Sequence, residues 1–224
     1  MIAAVPAHVD PPDLSDLHPH ALALDDAGAL ALDGALVETP SDDPVRAARV
    51  VINESELRGV TFQAPAATAL QLRDVRLTGC DLSNVESPEP SIWRVEVAGS
   101  RLLGFRAAGG DVRELRVTDS SLVLATFAFA RLRNVVFERV DLSEASFMQS
   151  RLDRVEFVDC RLAGTDFRGA TVNACAIRGS SLDGVLGIES LRSVRMPWSD
   201  IVASAAALAA TLGIQIESDD DAPA

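Results

Sequence analysis

The chain has 224 residues, which is enough for one sizeable hydrophobic core and short for two. Its 33 Asp and Glu residues outnumber its 20 basic residues, all of which are Arg, and the formal net charge is −13. This charge argues against direct binding to nucleic acid or to an anionic membrane by bulk attraction. The sequence has no apolar run of about 18 residues, the length that a membrane-spanning helix needs.

The N-terminal residues and the cysteines together indicate a cytoplasmic protein. Residues 1–12, MIAAVPAHVDPP, have no basic segment ahead of a long apolar stretch, so secretion is not signalled. The three Cys residues are too few for a disulfide framework. We therefore expect a cytoplasmic location.

Residues 1–49 form an N-terminal extension that differs in composition from the rest of the chain. They contain six Pro and nine acidic residues, a composition typical of a partly ordered linker. We expect them to hold one or two strands or short turns and to dock on the domain that follows. Within them, residues 21–37 carry six Leu and Val residues, so this segment needs an apolar surface to cover it.

A five-residue period dominates the chain after residue 50. Stepping by five from Ile52 to Leu182 gives 27 positions, of which 24 hold Leu, Ile, Val or Phe, whereas chance predicts about 8. Neither the period of a helix nor that of a strand explains this pattern. The residue two before each central position is small, and Gly or Asn recurs where a corner would relieve backbone strain, as at Gly79 and Asn84.

Units such as CDLSN (80–84), VDLSE (140–144) and TDFRG (165–169) resemble those of pentapeptide-repeat proteins. The resemblance implies an all-β fold, a right-handed quadrilateral β-helix with four pentads per coil and the central residue of each pentad inside. It covers about residues 50–198, which make about seven coils and a rod roughly 33 Å long at a strand spacing of ~4.8 Å.

One side of this rod is predicted to be irregular in its first half. The central positions that break the pattern are spaced 20 residues apart and stack on one side: Ala67, Ser87 and Ala107. The same side becomes regular later, where Phe127, Phe147 and Phe167 stack. Two interpretations remain open, a partner-binding wall with looped corners or harmless variation of the loops.

A predicted apolar patch adjoins this side over coils three to five. Five large apolar residues occupy outward or corner positions where the repeat usually has polar residues: Leu103, Val123, Leu124, Phe129 and Met148. An exposed patch of this kind usually contacts something. Three explanations remain open: the patch is covered by residues 21–37 of the same chain, it binds another protein, or it packs locally.

Residues 199–216 are predicted to form a capping helix with a short extension, followed by a disordered acidic tail at 217–224. Ser199 is the expected N-cap and Gly213 the C-cap of a helix over about 200–212. Both sides of this helix are apolar, so we expect it to cover the open end of the β-helix and to form a homodimer. The residues predicted for these roles are Trp198, Ile201, Val202, Leu208 and Leu212. The ending Leu-Gly-Ile (212–214) is similar to that of quinolone-resistance pentapeptide-repeat proteins, which implies a dimer contact.

The residue types that usually carry catalysis form no recognisable site in the sequence. His8, His18 and His20 all lie in the N-terminal extension, where nothing completes a metal site. The cysteines occupy small inward positions of the repeat and are predicted to be core residues: Cys80, Cys160 and Cys175. Phosphate-loop, serine-hydrolase, dinucleotide and zinc-protease motifs are absent from the sequence. We therefore expect no enzymatic activity, no cofactor and no metal site.

Two functions are compatible with the sequence. We favour a non-enzymatic scaffold or adaptor that binds a protein partner through the irregular side and the apolar patch. The alternative, implied by the resemblance, is a DNA-mimicking modulator of a type II topoisomerase (gyrase) that protects against fluoroquinolones. Residues 50–216 carry a net charge of only −2, whereas ~33 Å of B-DNA carries about 19 negative charges. The alternative would therefore depend on the tails or loops.

Overall fold

Parallel strands recur every twenty residues along the chain, as coils of four pentads require. The computed structural model describes residues 7–26, 28–38, 44–63 and 69–215. The strands are β1 (His18–Pro19), β2 (Ala29–Asp33), β3 (Ala35–Glu38), β4 (Arg49–Arg58), β5 (Ala69–Thr78), β6 (Ser91–Ala98), β7 (Asp111–Thr118), β8 (Arg131–Glu138), β9 (Arg151–Val158), β10 (Thr171–Asn173) and β11 (Ala176–Arg178).

The register between paired strands is twenty residues from β2 to β11. Ile92 aligns with Val112 between β6 and β7, and an isolated bridge on another side of the coil joins Asp81 to Arg101 with the same shift. A constant shift of four pentads gives each coil four sides whose central residues face inward. The structure therefore confirms the predicted all-β, right-handed quadrilateral β-helix with a helical C-terminal cap.

The β-helix begins one turn before the predicted start at residue 50. β2 and β3 both pair with β4, and Leu32 aligns with Ile52 in the same buried core. With this turn the solenoid has about eight coils, compared with the seven predicted. The five-residue frame hid the first turn because the frame is not kept there: Val45 pairs with Phe62, a shift of 17 residues where the register from β2 to β11 is 20.

Phenylalanine rings fill the core of the later coils. Phe127 stacks on Phe147 at a centroid distance of 5.3 Å, and Phe147 stacks on Phe167 at 5.2 Å. A second column, Phe137 on Phe157 at 5.4 Å, meets the first column edge to face. All five rings are buried, so the large central residues of the frame form one continuous core.

The side predicted to be irregular is regular at two of its three positions. The N–H groups of Ser87 and Ala107 each donate to a carbonyl of the next coil at 2.8 Å. Both residues are buried, and the buried Phe105 two positions before Ala107 supplies a large side chain in that pentad. The expectation of looped corners is therefore wrong at these positions, and Ala67 lies outside the described residues.

Residues 7–17 run along one corner of the β-helix and are called the N-terminal strap. The backbone N–H groups of Ala7, Asp10 and Asp13 donate to carboxylates of the solenoid at 3.0, 3.3 and 3.2 Å. The acceptors are, in the same order, Glu156, Glu114 and Asp74. Val9 of the strap is buried. The strap thus spans the solenoid from β9 back to β5.

Three short helices form the C-terminal end: a 3-10 helix at Ile188–Leu191, α1 at Trp198–Ala203 and α2 at Ala205–Thr211. The prediction of one continuous helix with Ser199 as its N-cap is wrong. The helix begins after Pro197 and is interrupted at Ser204, and the Ser199 hydroxyl contacts the Asp200 carboxylate and not a backbone N–H.

Two side chains of this helical segment replace the coil that would come next. Asp200 Oδ2 accepts a hydrogen bond from Gly179 N–H at 2.7 Å, and Ser204 Oγ accepts one from Leu182 N–H at 3.2 Å. These N–H groups belong to the last coil, whose edge would otherwise lack partners. The attachment of the buried Ser204 to the coil coincides with the interruption between α1 and α2.

Gly213 ends the helical segment, one residue after the C-cap residue Leu212. Its φ is +73°, its N–H donates to Ala210 O at 3.1 Å, and Ile214 N–H donates to Ala209 O at 3.0 Å. This pair of bonds is a Schellman motif, in which glycine is favoured. The predicted acidic tail at 217–224 lies outside the described residues. Of the helices that the structure describes, none is long and apolar enough to cross a membrane.

Candidate functional site

The five residues predicted to bind a partner lie on two adjacent corners of consecutive coils, and they are called the apolar corner patch. Leu103, Leu124 and Phe129 are 37%, 53% and 56% exposed, and Val123 and Met148 are half-buried. Leu103 and Val123 occupy equivalent positions of successive coils. The two corners flank one side of the solenoid, so the structure brings the predicted residues to one region of the surface.

The backbone at the two most exposed residues of the patch is left-handed. Each corner is a four-residue turn closed by a hydrogen bond, from Ala125 N–H to Leu122 O at 3.0 Å and from Ala130 N–H to Phe127 O at 3.1 Å. The third residue of each turn has a positive φ, +60° at Leu124 and +61° at Phe129. This conformation suits Gly and is unfavourable for bulky side chains.

Neighbouring coils have glycine or polar residues at the same positions. The residues equivalent to Leu124 are Asn84, Gly104, Glu144 and Gly164, and those equivalent to Phe129 are Glu89, Gly109, Gln149 and Gly169. A left-handed L-residue costs roughly 1–2 kcal/mol relative to the right-handed conformation. Left-handed backbone thus recurs at the corners, also at residues other than Gly, and it is their exposed apolar side chains that distinguish Leu124 and Phe129 from the equivalent residues.

The explanation that residues 21–37 cover the patch is wrong for the part of that segment that the structure describes. Leu30, Leu32 and Val37 are buried in the core of the first coil, and their strands pair with β4. Leu22 also packs against the core, and Leu24 is exposed. The segment is apolar because it is itself part of the β-helix.

The residues predicted for capping and dimerisation divide into two groups. Leu208 packs against the core and lines a cavity of about 420 Å³ between the helices and the last coil, which Ile201 and Leu212 also line. Trp198 and Leu212 are 77% and 78% exposed, and Val202 is exposed too. One face of the segment thus closes the solenoid, Trp198 and Val202 remain exposed outside the cavity, and Leu212 lines the cavity while most of its side chain is exposed.

The predicted assignment of the cysteines to the core agrees with their burial. All three are free and buried, and their thiols donate to backbone carbonyls, as Cys160 Sγ does to Phe137 O at 3.4 Å. Burial raises the pKa of Cys160 to about 11 and also raises the pKa of Cys80 and of Cys175. Thiols of this kind are poor nucleophiles.

Metal-ligating residues are scattered in the described ranges. His8 contacts Asp10 at 2.9 Å on the exposed side of the strap. No group of three or more His, Cys, Asp or Glu residues within those ranges is arranged to hold a metal ion.

A basic depression of about 510 Å³ is a feature that the sequence analysis missed. It lies on the outer side of the solenoid across β7 to β10, and four arginines with two aspartates form most of its charged lining: Arg113, Arg131, Arg133, Arg151, Asp111 and Asp153. The twenty-residue register places these arginines beside one another, so their spacing in the sequence could have predicted the depression.

These features define a repeat solenoid whose core is filled with apolar side chains and whose charged side chains lie on the outer surface. The family model of pentapeptide repeats matches residues 120–157, in eight copies. The predicted resemblance is confirmed, and this segment consists of pentapeptide repeats. No curated protein matches the chain.

Several solved structures of pentapeptide-repeat proteins are similar to this chain. HetL from the cyanobacterium Nostoc sp. strain PCC 7120, described as involved in heterocyst differentiation regulation, is 16% identical with a TM-score of 0.38, over 75% of this chain and 79% of HetL. Full-length QnrB1, described as a plasmid-mediated fluoroquinolone resistance protein, is 14% identical with a TM-score of 0.29, over 74% and 91%. Rfr23 from the cyanobacterium Cyanothece 51142 is 13% identical with a TM-score of 0.25, over 55% and 88%.

Proposed function

We propose that the protein is a non-enzymatic, cytoplasmic scaffold that binds a partner protein through the apolar corner patch. The observation that carries the proposal is the exposure of Leu124 and Phe129 in left-handed backbone positions. Exposure to water disfavours these apolar side chains at corner positions where the other coils have Gly or polar residues, and exposed apolar patches commonly mark interaction sites. A binding role explains why they are kept.

The corners hold the patch in place before any partner arrives. Leu124 N–H donates to Ser143 O at 3.0 Å, and Phe129 N–H donates to Met148 O at 2.9 Å. A preorganised surface loses little conformational entropy on association. Burial of the exposed parts of the two side chains then contributes on the order of 1–3 kcal/mol each, which makes them the expected energetic centre of the contact.

The test compares partner capture by matched variants of the full chain. Phe129→Asp should abolish capture of a partner that the wild type retains at both low and high salt. Gln149→Asp places the same charge at the equivalent position of the next coil and should leave capture intact. If Phe129→Asp captures the same partner as the wild type, the patch is not the binding site.

A homodimer through the C-terminal helices is proposed on a separate observation, the exposure of Trp198, Val202 and Leu212 beside a helical cap that already covers the core. Analytical ultracentrifugation should show a dimer for the wild type and a monomer for Leu212→Asp. A monomeric wild type at high micromolar concentration would exclude the dimer.

The arrangement of charges gives less support to modulation of a type II topoisomerase. One outer column contains Asp81, Arg101, Ser121, Asp141 and Arg161 in successive coils. Opposite charges this close largely cancel, unlike a line of phosphates. QnrB1 is described as a fluoroquinolone resistance protein, so gyrase supercoiling with and without a fluoroquinolone is the direct test. Inhibition or drug protection at micromolar protein would favour this alternative over the scaffold.

A further inference from the structure

Like charges face each other along the basic depression. Arg113 aligns with Arg133, and Arg131 aligns with Arg151, in the register of β7, β8 and β9. The same register places Asp111 on the other side of Arg131 and Asp153 on the other side of Arg133. Adjacent strands are only ~4.8 Å apart, and like charges directly opposite each other on a sheet are destabilising. A cluster of this kind is therefore unfavourable unless something neutralises it.

The two aspartates of the depression are already engaged. Asp111 accepts two hydrogen bonds from Arg113, at 3.0 and 2.6 Å. Asp153 contacts Arg133 at 3.4 Å and Arg154 at 3.1 Å, and it accepts a bond from Asn173. Their carboxylates thus offset the charge of arginines on the other flank of the depression.

Arg131 and Arg151 remain uncompensated. Neither makes an ion pair or a side-chain hydrogen bond with any residue within the described part of the chain, and both are exposed. Arg131 also has a carboxylate beside it in the ladder, that of Asp111, but both oxygens of this carboxylate are bonded to Arg113. Arg151 adjoins Arg131 and the uncharged Thr171. Arg151 thus lacks the adjoining carboxylate that Arg161 has in Asp141.

We infer that the basic depression binds a phosphomonoester group, held between the guanidinium groups of Arg131 and Arg151. Four arginines and two aspartates give the lining a formal charge of +2, which matches the −1.5 to −2 of a phosphomonoester at about pH 7. Guanidinium forks bind phosphate oxygens in pairs. The hydroxyl-bearing Thr171 follows Arg151 in the same register and adds a third donor.

This site is independent of the proposed scaffold function, although the two surfaces adjoin. Phe129 of the apolar corner patch is two residues before Arg131 in the chain, at the corner that leads into β8. The phosphoryl group can come from free phosphate or from a phosphorylated side chain of a protein. Both sources present a phosphate dianion to the arginines, and titration with one probe of each kind distinguishes them.

The test is calorimetric titration of the full-length protein at low ionic strength with inorganic phosphate and with a phosphoserine peptide, beside its unphosphorylated form. Arg131→Gln with Arg151→Gln should weaken binding of either phosphate probe about tenfold or more, whereas Arg101→Gln with Arg161→Gln should not. Binding of the phosphoserine peptide should also weaken from about pH 7.5 to 5.5, because the second pKa of a phosphomonoester lies near 6.

Each outcome has a defined meaning. Tighter binding of the phosphopeptide than of inorganic phosphate identifies a protein-borne phosphate, and equal binding identifies a site for the free ion. Absence of binding to both probes, or equal weakening by the control pair of substitutions, would overturn the inference. Circular dichroism and thermal melting of each variant separate loss of the site from loss of the fold, and a failed Phe129→Asp capture experiment leaves this result unaffected.

Discussion

The backbone N–H of Ala7 donates to Oε1 of Glu156 at 3.0 Å, across 149 positions of sequence. This bond fixes the start of the N-terminal strap against β9, and the strap then follows one corner of the solenoid. An extended segment with a buried Val9 contributes apolar burial to the fold as well as hydrogen bonds.

Substitution of the strap residue Val9 should destabilise the protein. Val9→Asp places a charge at a buried position, and we expect the free energy of unfolding to fall by more than about 1 kcal/mol. His8→Ala, at an exposed neighbouring position, should have no effect. Chemical denaturation of both variants measures the difference, and equal stability of the two would show that the strap does not contribute to the fold.

Replacing the strained corner residues with glycine should leave the fold intact or make it more stable. Phe129→Gly removes the cost of a left-handed L-residue but increases the conformational entropy of the unfolded chain. The first effect is the larger, so we expect the free energy of unfolding to rise by up to about 1 kcal/mol. Phe127→Ala, two residues earlier and buried in the stack, should cost about 3–5 kcal/mol. Thermal melting distinguishes the two, and a large loss of stability in Phe129→Gly would contradict the assignment of strain.

Removing the side chains that cap the last coil should weaken the C-terminal end. Ser204→Ala leaves the Leu182 N–H without its acceptor, and we expect a loss of about 1 kcal/mol or more. Ser199→Ala, the predicted cap that bonds no backbone group, is the matched control. Amide hydrogen exchange at Leu182 should accelerate only in the first variant.

Neutralising Arg151, one of the two arginines of the depression that form no ion pair within the described residues, should raise the free energy of unfolding at low salt. Arg151→Gln removes the repulsion from Arg131, which is worth about 0.2–1 kcal/mol. The gain should disappear at high ionic strength, because exposed charges are then screened. Arg101→Gln, which removes a charge beside Asp81, should not raise stability. A salt-independent gain would point to packing and not to charge.

Stability should fall in the alkaline range because of the buried cysteines. The chain has no Lys and no Tyr, so its thiols are the side chains that titrate between about pH 8.5 and 11. Burial raises the pKa of Cys160 to about 11, so the folded state holds the proton more tightly than the unfolded state. The resulting stabilisation is present below about pH 8.5 and is lost as the pH rises to 11.

Melting temperatures across that range measure the alkaline effect. Cys160→Ala should show a smaller decrease between about pH 8.5 and 11 than the wild type, even though the variant is less stable overall. An equal decrease in both proteins would mean that Cys160 does not carry the effect.

The five-residue frame by itself predicted the buried positions and the corners, and the resemblance to pentapeptide repeats supplied the quadrilateral β-helix. Large residues at every fifth position can all be buried only if the backbone turns a corner at each pentad, so the positions of Phe137 and Phe147 predicted the core directly. The same frame placed Leu124 and Phe129 on the outside, because they fall on corner positions.

Other features were decided by the tertiary structure alone. The first coil was hidden because the five-residue frame is interrupted where Val45 pairs with Phe62 at a shift of 17 residues, and the alignment of Leu32 with Ile52 reveals it. The strap has no repeat of its own, so nothing local indicates the corner that it follows.

The basic depression depends on the tertiary structure for a different reason. The repeat register places Arg131 between Asp111 and Arg151, but the geometry of the side chains decides that Asp111 bonds to Arg113 instead. A repeat pattern in the sequence determines where each residue stands in the coil, whereas the choice of ion-pair partner among equally near neighbours is settled only by side-chain packing in three dimensions.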